Sequence, residues 1–248
     1  MKKTVWILGL VWGMIGLNTQ TAQADFFSSA LGEDTLAWSR TPDYPPQVIQ
    51  AYPGPEGKSF EERFAKHEYE FGFSLGYGYN INIPPVDAES DERTDLRFAY
   101  FFPNFKYNLT GLMGSSIYQG ALFWVVEAGA AITTRDPHRL QKPVDDAPNY
   151  VFGLVPAQLE YKFLQADRSW APFLFMGVGV SWGDWFASSN ELATAYEFIL
   201  QMGGGMEYFF SNGTALNFNY RFWHLSNSNI KSPNIGINAH IFSFGVSF

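Results

Sequence analysis

His224 and Ser226 stand two positions apart near the end of the chain, and Asn238 and His240 repeat that spacing shortly after. A serine hydroxyl alone is a poor nucleophile. It becomes effective when a histidine within hydrogen-bond reach takes its proton and a third group fixes the imidazole tautomer. Ser226 and His224 have the types for nucleophile and base, and Asn238 is a further polar residue close behind them. The spacing by itself is a weak motif, because polar side chains at a membrane rim would repeat in the same way. His240 reads as an interfacial residue without a catalytic task.

The residues around them alternate. From Glu68 to Ile83, aromatic and aliphatic side chains at odd positions alternate with small or polar ones at even positions. Eight matched periods of two are longer than the ~5–6 residues of a usual strand and suit a tilted membrane-spanning one. Seven further segments follow at 95–109, 117–133, 150–163, 170–182, 196–210, 214–226 and 234–248. A bulge or register change is expected at Pro103, which cannot donate to a ladder. The connections alternate long and short, as extracellular loops and periplasmic turns do in outer-membrane barrels. Ser211-Asn212-Gly213 fits a three-residue hairpin with Gly213 left-handed, pairing Phe210 with Thr214. The expected fold class is all-β: an eight-stranded antiparallel up-and-down transmembrane β-barrel, its lumen packed by side chains.

The alternation assigns faces. Leu216, Phe218, Tyr220 and Phe222 share the lipid-facing parity with His224 and Ser226, and Phe242, Phe244 and Val246 share it with Asn238 and His240. Polar groups on that face are functional candidates by default. A hairpin centred near Ile230 or Lys231 puts Asn238 opposite His224 or one diagonal step away. No metal is expected on His224 and His240, since no carboxylate shares their face. Glu127 and Glu160 point inward, where Arg97, Lys162 or Arg221 would pair with them.

Composition narrows the class. The 248 residues include no Cys, which excludes a disulfide scaffold and a thiol nucleophile. Aromatics make up 18% and charged residues 16%, with 23 Gly and a net charge of -8, a balance that suits a barrel and disfavours nucleic acid as partner. Lys2 and Lys3, an apolar run from Val5 to Leu17, and Ala22-Gln23-Ala24 read as a secretory signal peptide cut after Ala24. The expected organisation is a signal peptide over 1–24, an N-terminal extension over 25–66 with the periplasm as its expected side, and a barrel over 67–248. A short helix is expected within Phe60 to Lys66.

Phe222-Trp223-His224-Leu225-Ser226-Asn227, followed by Pro233-Asn234-Ile235-Gly236-Ile237-Asn238, resembles the end of the lipid A 3-O-deacylase (PagL-type) family. The resemblance is specific over Tyr220–Phe248, diffuse over 68–219 and does not reach 25–66. It implies an eight-stranded outer-membrane barrel that hydrolyses the 3-O-linked acyl chain of lipid A in the outer leaflet, without a cofactor. It also implies Ser226 as nucleophile, His224 as base, and backbone N–H groups around Asn227, Ser228 and Asn229 as the oxyanion hole. The chain departs from the family pattern twice. Asn238 stands where the triad acid is expected, and Asn229 stands where a Gly is expected.

The expected function is therefore an outer-membrane serine esterase with lipopolysaccharide as substrate and membrane lipid around it. One alternative is a catalytically impaired structural or adhesive barrel, for which the acidic Asp87–Asp95 loop would serve as a binding surface. The other is a phospholipase-like esterase acting on another acyl substrate.

Overall fold

Alternating small and large residues build long strands, and eight of them follow in order: β1 (Tyr69–Asn80), β2 (Arg97–Asn108), β3 (Gly120–Arg135), β4 (Tyr150–Phe163), β5 (Trp170–Gly183), β6 (Tyr196–Phe209), β7 (Ala215–Ser226) and β8 (Ile237–Ser247). The structure, a computed structural model, describes residues 60–81, 96–135, 149–165, 169–188 and 191–248. The expected signal peptide, the extension up to residue 59 and the Asp87–Asp95 loop lie outside the described residues.

Each strand pairs antiparallel with its sequence neighbours, and β1 also pairs with β8, so the sheet closes into an up-and-down barrel. Closure gives the ladder no free edge, as a membrane requires. Among the described residues no helix is long and apolar enough to cross a membrane. Their outward side chains, such as Phe71, Leu75, Phe101, Leu174 and Phe244, are exposed, while the alternate positions are buried in the lumen. The Phe210–Thr214 hairpin forms as its residues dictate. Phe210 N–H donates to Thr214 O at 2.9 Å, and Gly213 takes a φ of 81°.

Pro103 does not shift the register as expected. Phe101 faces Ala130 and Asn104 faces Glu127, so the β2–β3 alignment is the same on both sides of it. The ring removes a donor, and the ladder simply skips that stretch. Register shifts occur instead at Arg97/Phe98, Val125/Glu127 and Leu154/Ala157.

The lumen is layered, as the inward positions of β7 show in sequence. Ala215 belongs to an apolar cluster at the short-turn end, Asn217, Asn219 and Arg221 cross a polar belt, and Trp223 and Leu225 join a larger apolar cluster at the long-loop end. In the belt, Arg221 pairs with Glu127, Lys106 lies 2.7 Å from Glu160, and Lys162 lies 2.8 Å from Glu70 and 2.6 Å from Glu207. Glu127 and Glu160 thus point inward as expected. Arg97 is not their partner, because it has the outward parity of β2; Lys106 takes Glu160 instead.

The short helix expected within Phe60 to Lys66 forms ahead of the first strand. This helix, α1 (Phe60–Arg63), leads into Phe64, which is 1% exposed and packs with Phe123 and Phe209 inside the short-turn end. Phe60 stacks on Phe64 with centroids 4.7 Å apart, and Arg63 reaches Glu70 at 3.4 Å. Apolar side chains from outside the alternating run therefore close the barrel floor, where the strands themselves contribute the small side chains Ala121, Ala171 and Ala215.

Candidate active site

The β7–β8 register sets the central geometry. His224 pairs with Asn238, and both side chains face outward at the long-loop end. His224 Nδ1 lies 2.7 Å from Asn238 Oδ1. A carbonyl oxygen can only accept, so Nδ1 carries the proton and Nε2 presents its lone pair. That is the tautomer a general base needs. Behind the pair, Trp223 and Leu225 are fully buried in the apolar cluster, which anchors the strand from the lumen side.

Ser226 is the last residue of β7 and pairs with Phe198 of β6. It shares the face of His224 one strand period away. Among the described residues no hydrogen bond joins their side chains. Catalytic hydrogen bonds are often long before substrate binds.

The loop after Ser226 is built by asparagines. Ser228 and Asn229 both have positive φ, 53° and 65°. Asn enters the left-handed region at lower cost than most residues, which lets it occupy the place where a glycine is expected. Asn227 is buried and its backbone N–H donates to Asn234 Oδ1 at 2.8 Å, while Asn234 Nδ2 donates to Asn229 Oδ1 at 3.1 Å. The Asn227 N–H is therefore engaged within the loop.

Three residues that sequence reasoning did not assign complete the surroundings. Gly236, with φ 81°, lies against the imidazole of His224. Asn80, at the end of β1, accepts the Asn238 N–H on Oδ1 at 3.1 Å and donates from Nδ2 to Glu191 Oε1 at 2.9 Å. Glu191, in the β5–β6 loop, is buried and accepts backbone N–H groups of Ile235 and Gly236 on its own carbonyl. The closure of β1 on β8 was the available signal for Asn80. No local pattern marks Glu191, whose partners Asn80, Ile235 and Gly236 are distant in sequence.

His240 has a partner of its own. Its Nδ1 lies 2.5 Å from the Tyr220 hydroxyl, and its ring stands 5.4 Å from that of Tyr79. This pairing satisfies a polar side chain on the lipid face and keeps it apart from the His224–Asn238 pair.

The family described as Lipid A 3-O-deacylase (PagL) matches this chain over residues 93–247, a span that holds β2 to β8 and every candidate residue but Asn80. No curated protein matches the chain in sequence. Among solved structures, it is similar to the outer membrane enzyme PagL, with 17% identity, 72% of this chain and 98% of that chain covered, and a TM-score of 0.46. It is also similar to Neisserial surface protein A, at 13% identity, 72% and 95% coverage and a TM-score of 0.41. A third similar structure is the attachment invasion locus protein Ail of Yersinia pestis, at 9% identity, 73% and 99% coverage and a TM-score of 0.36.

Proposed function

The chain belongs to the lipid A 3-O-deacylase (PagL) family and is an outer-membrane β-barrel, and we propose that it is a serine esterase that removes the 3-O-linked acyl chain of lipid A. Ser226 Oγ attacks the ester carbonyl carbon while His224 Nε2 takes its proton. Asn238 holds the Nδ1–H throughout. The N–H groups of Ser228 and Asn229 receive the developing oxyanion. Collapse breaks the ester bond, and the sugar oxygen leaves as an alcohol with the proton held by His224. Water, activated by the same imidazole, then hydrolyses the acyl-enzyme and releases the fatty acid.

The observation that carries this reading is the 2.7 Å contact of His224 Nδ1 with Asn238 Oδ1 on the outward face at the long-loop end. An outward site at that end meets the outer leaflet, so the substrate docks from the membrane and does not enter the lumen. The charge-paired, side-chain-filled belt across the barrel supports the same route, because it leaves no pore for a lipid.

Asn238 orients the imidazole but brings no charge to offset an imidazolium, so the proposed enzyme works with less electrostatic help than a carboxylate would supply. Mass spectrometry of lipid A from cells with and without the protein tests the reaction. Loss of one acyl chain from the 3-position, absent with Ser226→Ala, is the expected result. An unchanged acyl pattern under strong expression would overturn it. Ester hydrolysis of phospholipid with lipid A untouched would instead favour the phospholipase-like alternative. No hydrolysis of any ester would favour the structural or adhesive barrel.

A further inference from the structure

We propose that Glu191 is a positioning residue for the esterase site, acting through the Ile235–Asn238 segment, an inference that rests on the catalytic reading of Ser226, His224 and Asn238. Glu191 is 0% exposed and reaches the Ile235–Asn238 segment both directly and through Asn80. Its backbone carbonyl accepts the N–H groups of Ile235 at 3.1 Å and Gly236 at 3.3 Å. Its carboxylate accepts from Asn80 Nδ2 at 2.9 Å. Asn80 Oδ1 in turn accepts the N–H groups of Asn238 at 3.1 Å and Ile81 at 3.0 Å, and Ile81 N–H also donates to Asn238 O at 2.7 Å.

The chemistry of these groups explains the arrangement. A carboxylate only accepts, so Glu191 dictates that the NH₂ end of the Asn80 amide faces it. The oxygen end is then left for Asn238. With the amide reversed, the NH₂ would oppose the Asn238 N–H, donor against donor. One buried acid therefore sets the orientation of Asn80 and holds both ends of the segment that lies on His224: Gly236 against the ring and Asn238 against Nδ1. A buried carboxylate is costly unless it is hydrogen-bonded, and here the bond from Asn80 links it through one amide to the residue that orients the base. The sequence carries Asn at 238, and the carboxylate sits two hydrogen bonds behind it.

A double-mutant cycle tests the link on purified, heat-modifiable protein in detergent micelles, with a nitrophenyl ester of a medium-chain fatty acid as probe. Glu191→Ala is expected to lower kcat about 10–100-fold with KM within about 3-fold, the scale seen when a supporting residue behind a reacting group is lost. On an Asn238→Ala background the same change is expected to cost less than about 3-fold, because the orientation it protects is already gone. Equal costs in both backgrounds, or wild-type kcat in Glu191→Ala, would overturn the proposal. If Glu191→Ala fails to fold, Asn80→Ala enters the same cycle, and additivity there overturns it equally. Ser226→Ala separates the two readings. Activity that survives Ser226→Ala removes the site itself, whereas activity lost there but indifferent to Glu191 removes only the positioning role.

Discussion

Gly236 and the His224 imidazole touch so closely that a Cβ on Gly236 would sit 2.8 Å from His224 Cε1 and 2.9 Å from the Leu225 carbonyl oxygen. The residue also holds a φ of 81°, which L side chains enter at a cost. Gly236→Ala should therefore push the ring away from Asn238 and lower turnover about 10²-fold. The barrel should still run as a folded, heat-modifiable species, since the change lies in a loop. Near-normal kcat in a folded Gly236→Ala protein would show that the ring tolerates displacement.

Asn238→Ala removes the acceptor for Nδ1–H and should cost up to ~10⁴ in turnover, leaving nucleophile, base and oxyanion donors in place. Asn238→Asp keeps the oxygen that lies 2.7 Å from Nδ1 and adds the charge that offsets an imidazolium. Its activity at neutral pH should hold or rise. Equal turnover in wild type, Asn238→Ala and Asn238→Asp, measured on the same ester, would place position 238 outside the chemistry.

Asn229→Gly should leave activity within about 3-fold, because glycine adopts a positive φ freely. The substitution loses only the 3.1 Å acceptor for Asn234 Nδ2. A loss of activity far beyond that would show that the Asn229–Asn234 bond holds the oxyanion loop. Single-turnover kinetics on the ester distinguishes the outcomes.

Arg221→Ala leaves Glu127 as an unpaired carboxylate in the polar belt, 2% exposed. Breaking a buried pair this way costs about 3–5 kcal/mol. The folded, heat-modifiable band should disappear at lower urea than in wild type. Replacing both residues, as Glu127→Gln with Arg221→Met, should recover much of the loss. A single variant as stable as wild type would mean that water reaches and solvates the belt.

Phe64→Ala should cost about 3–5 kcal/mol, as large aromatic-to-alanine changes in a packed core do. The ring fills the short-turn end between Phe123 and Phe209, 6.2 and 6.0 Å away by centroid. A chain begun at Glu68 should be destabilised further, since it also loses Phe60 and the Arg63–Glu70 pair. Urea titration of the refolded barrels checks both, and unaltered midpoints would show that the floor is closed by something else.

Much of this protein is legible in local order. A period of two over Glu68–Ile83, repeated seven times, dictates strands, faces and the inward turn of Glu127, because alternation is a property of the extended backbone itself. The same parity places His224, Ser226, Asn238 and His240 outward, and the short loop at Ser211–Gly213 pins its own hairpin. What local order leaves open is register and long-range contact. Two alignments of β7 and β8 satisfy the alternation, and only the closed sheet sets Asn238 directly opposite His224. Pro103 looks like a bulge until the ladders on both sides of it hold the alignment. The engaged N–H of Asn227, the floor made by Phe60 and Phe64, and the Glu191–Asn80–Asn238 chain join residues far apart in sequence. Such contacts follow from how the barrel closes and how its ends are filled, and a pattern that repeats every two residues carries no information about either.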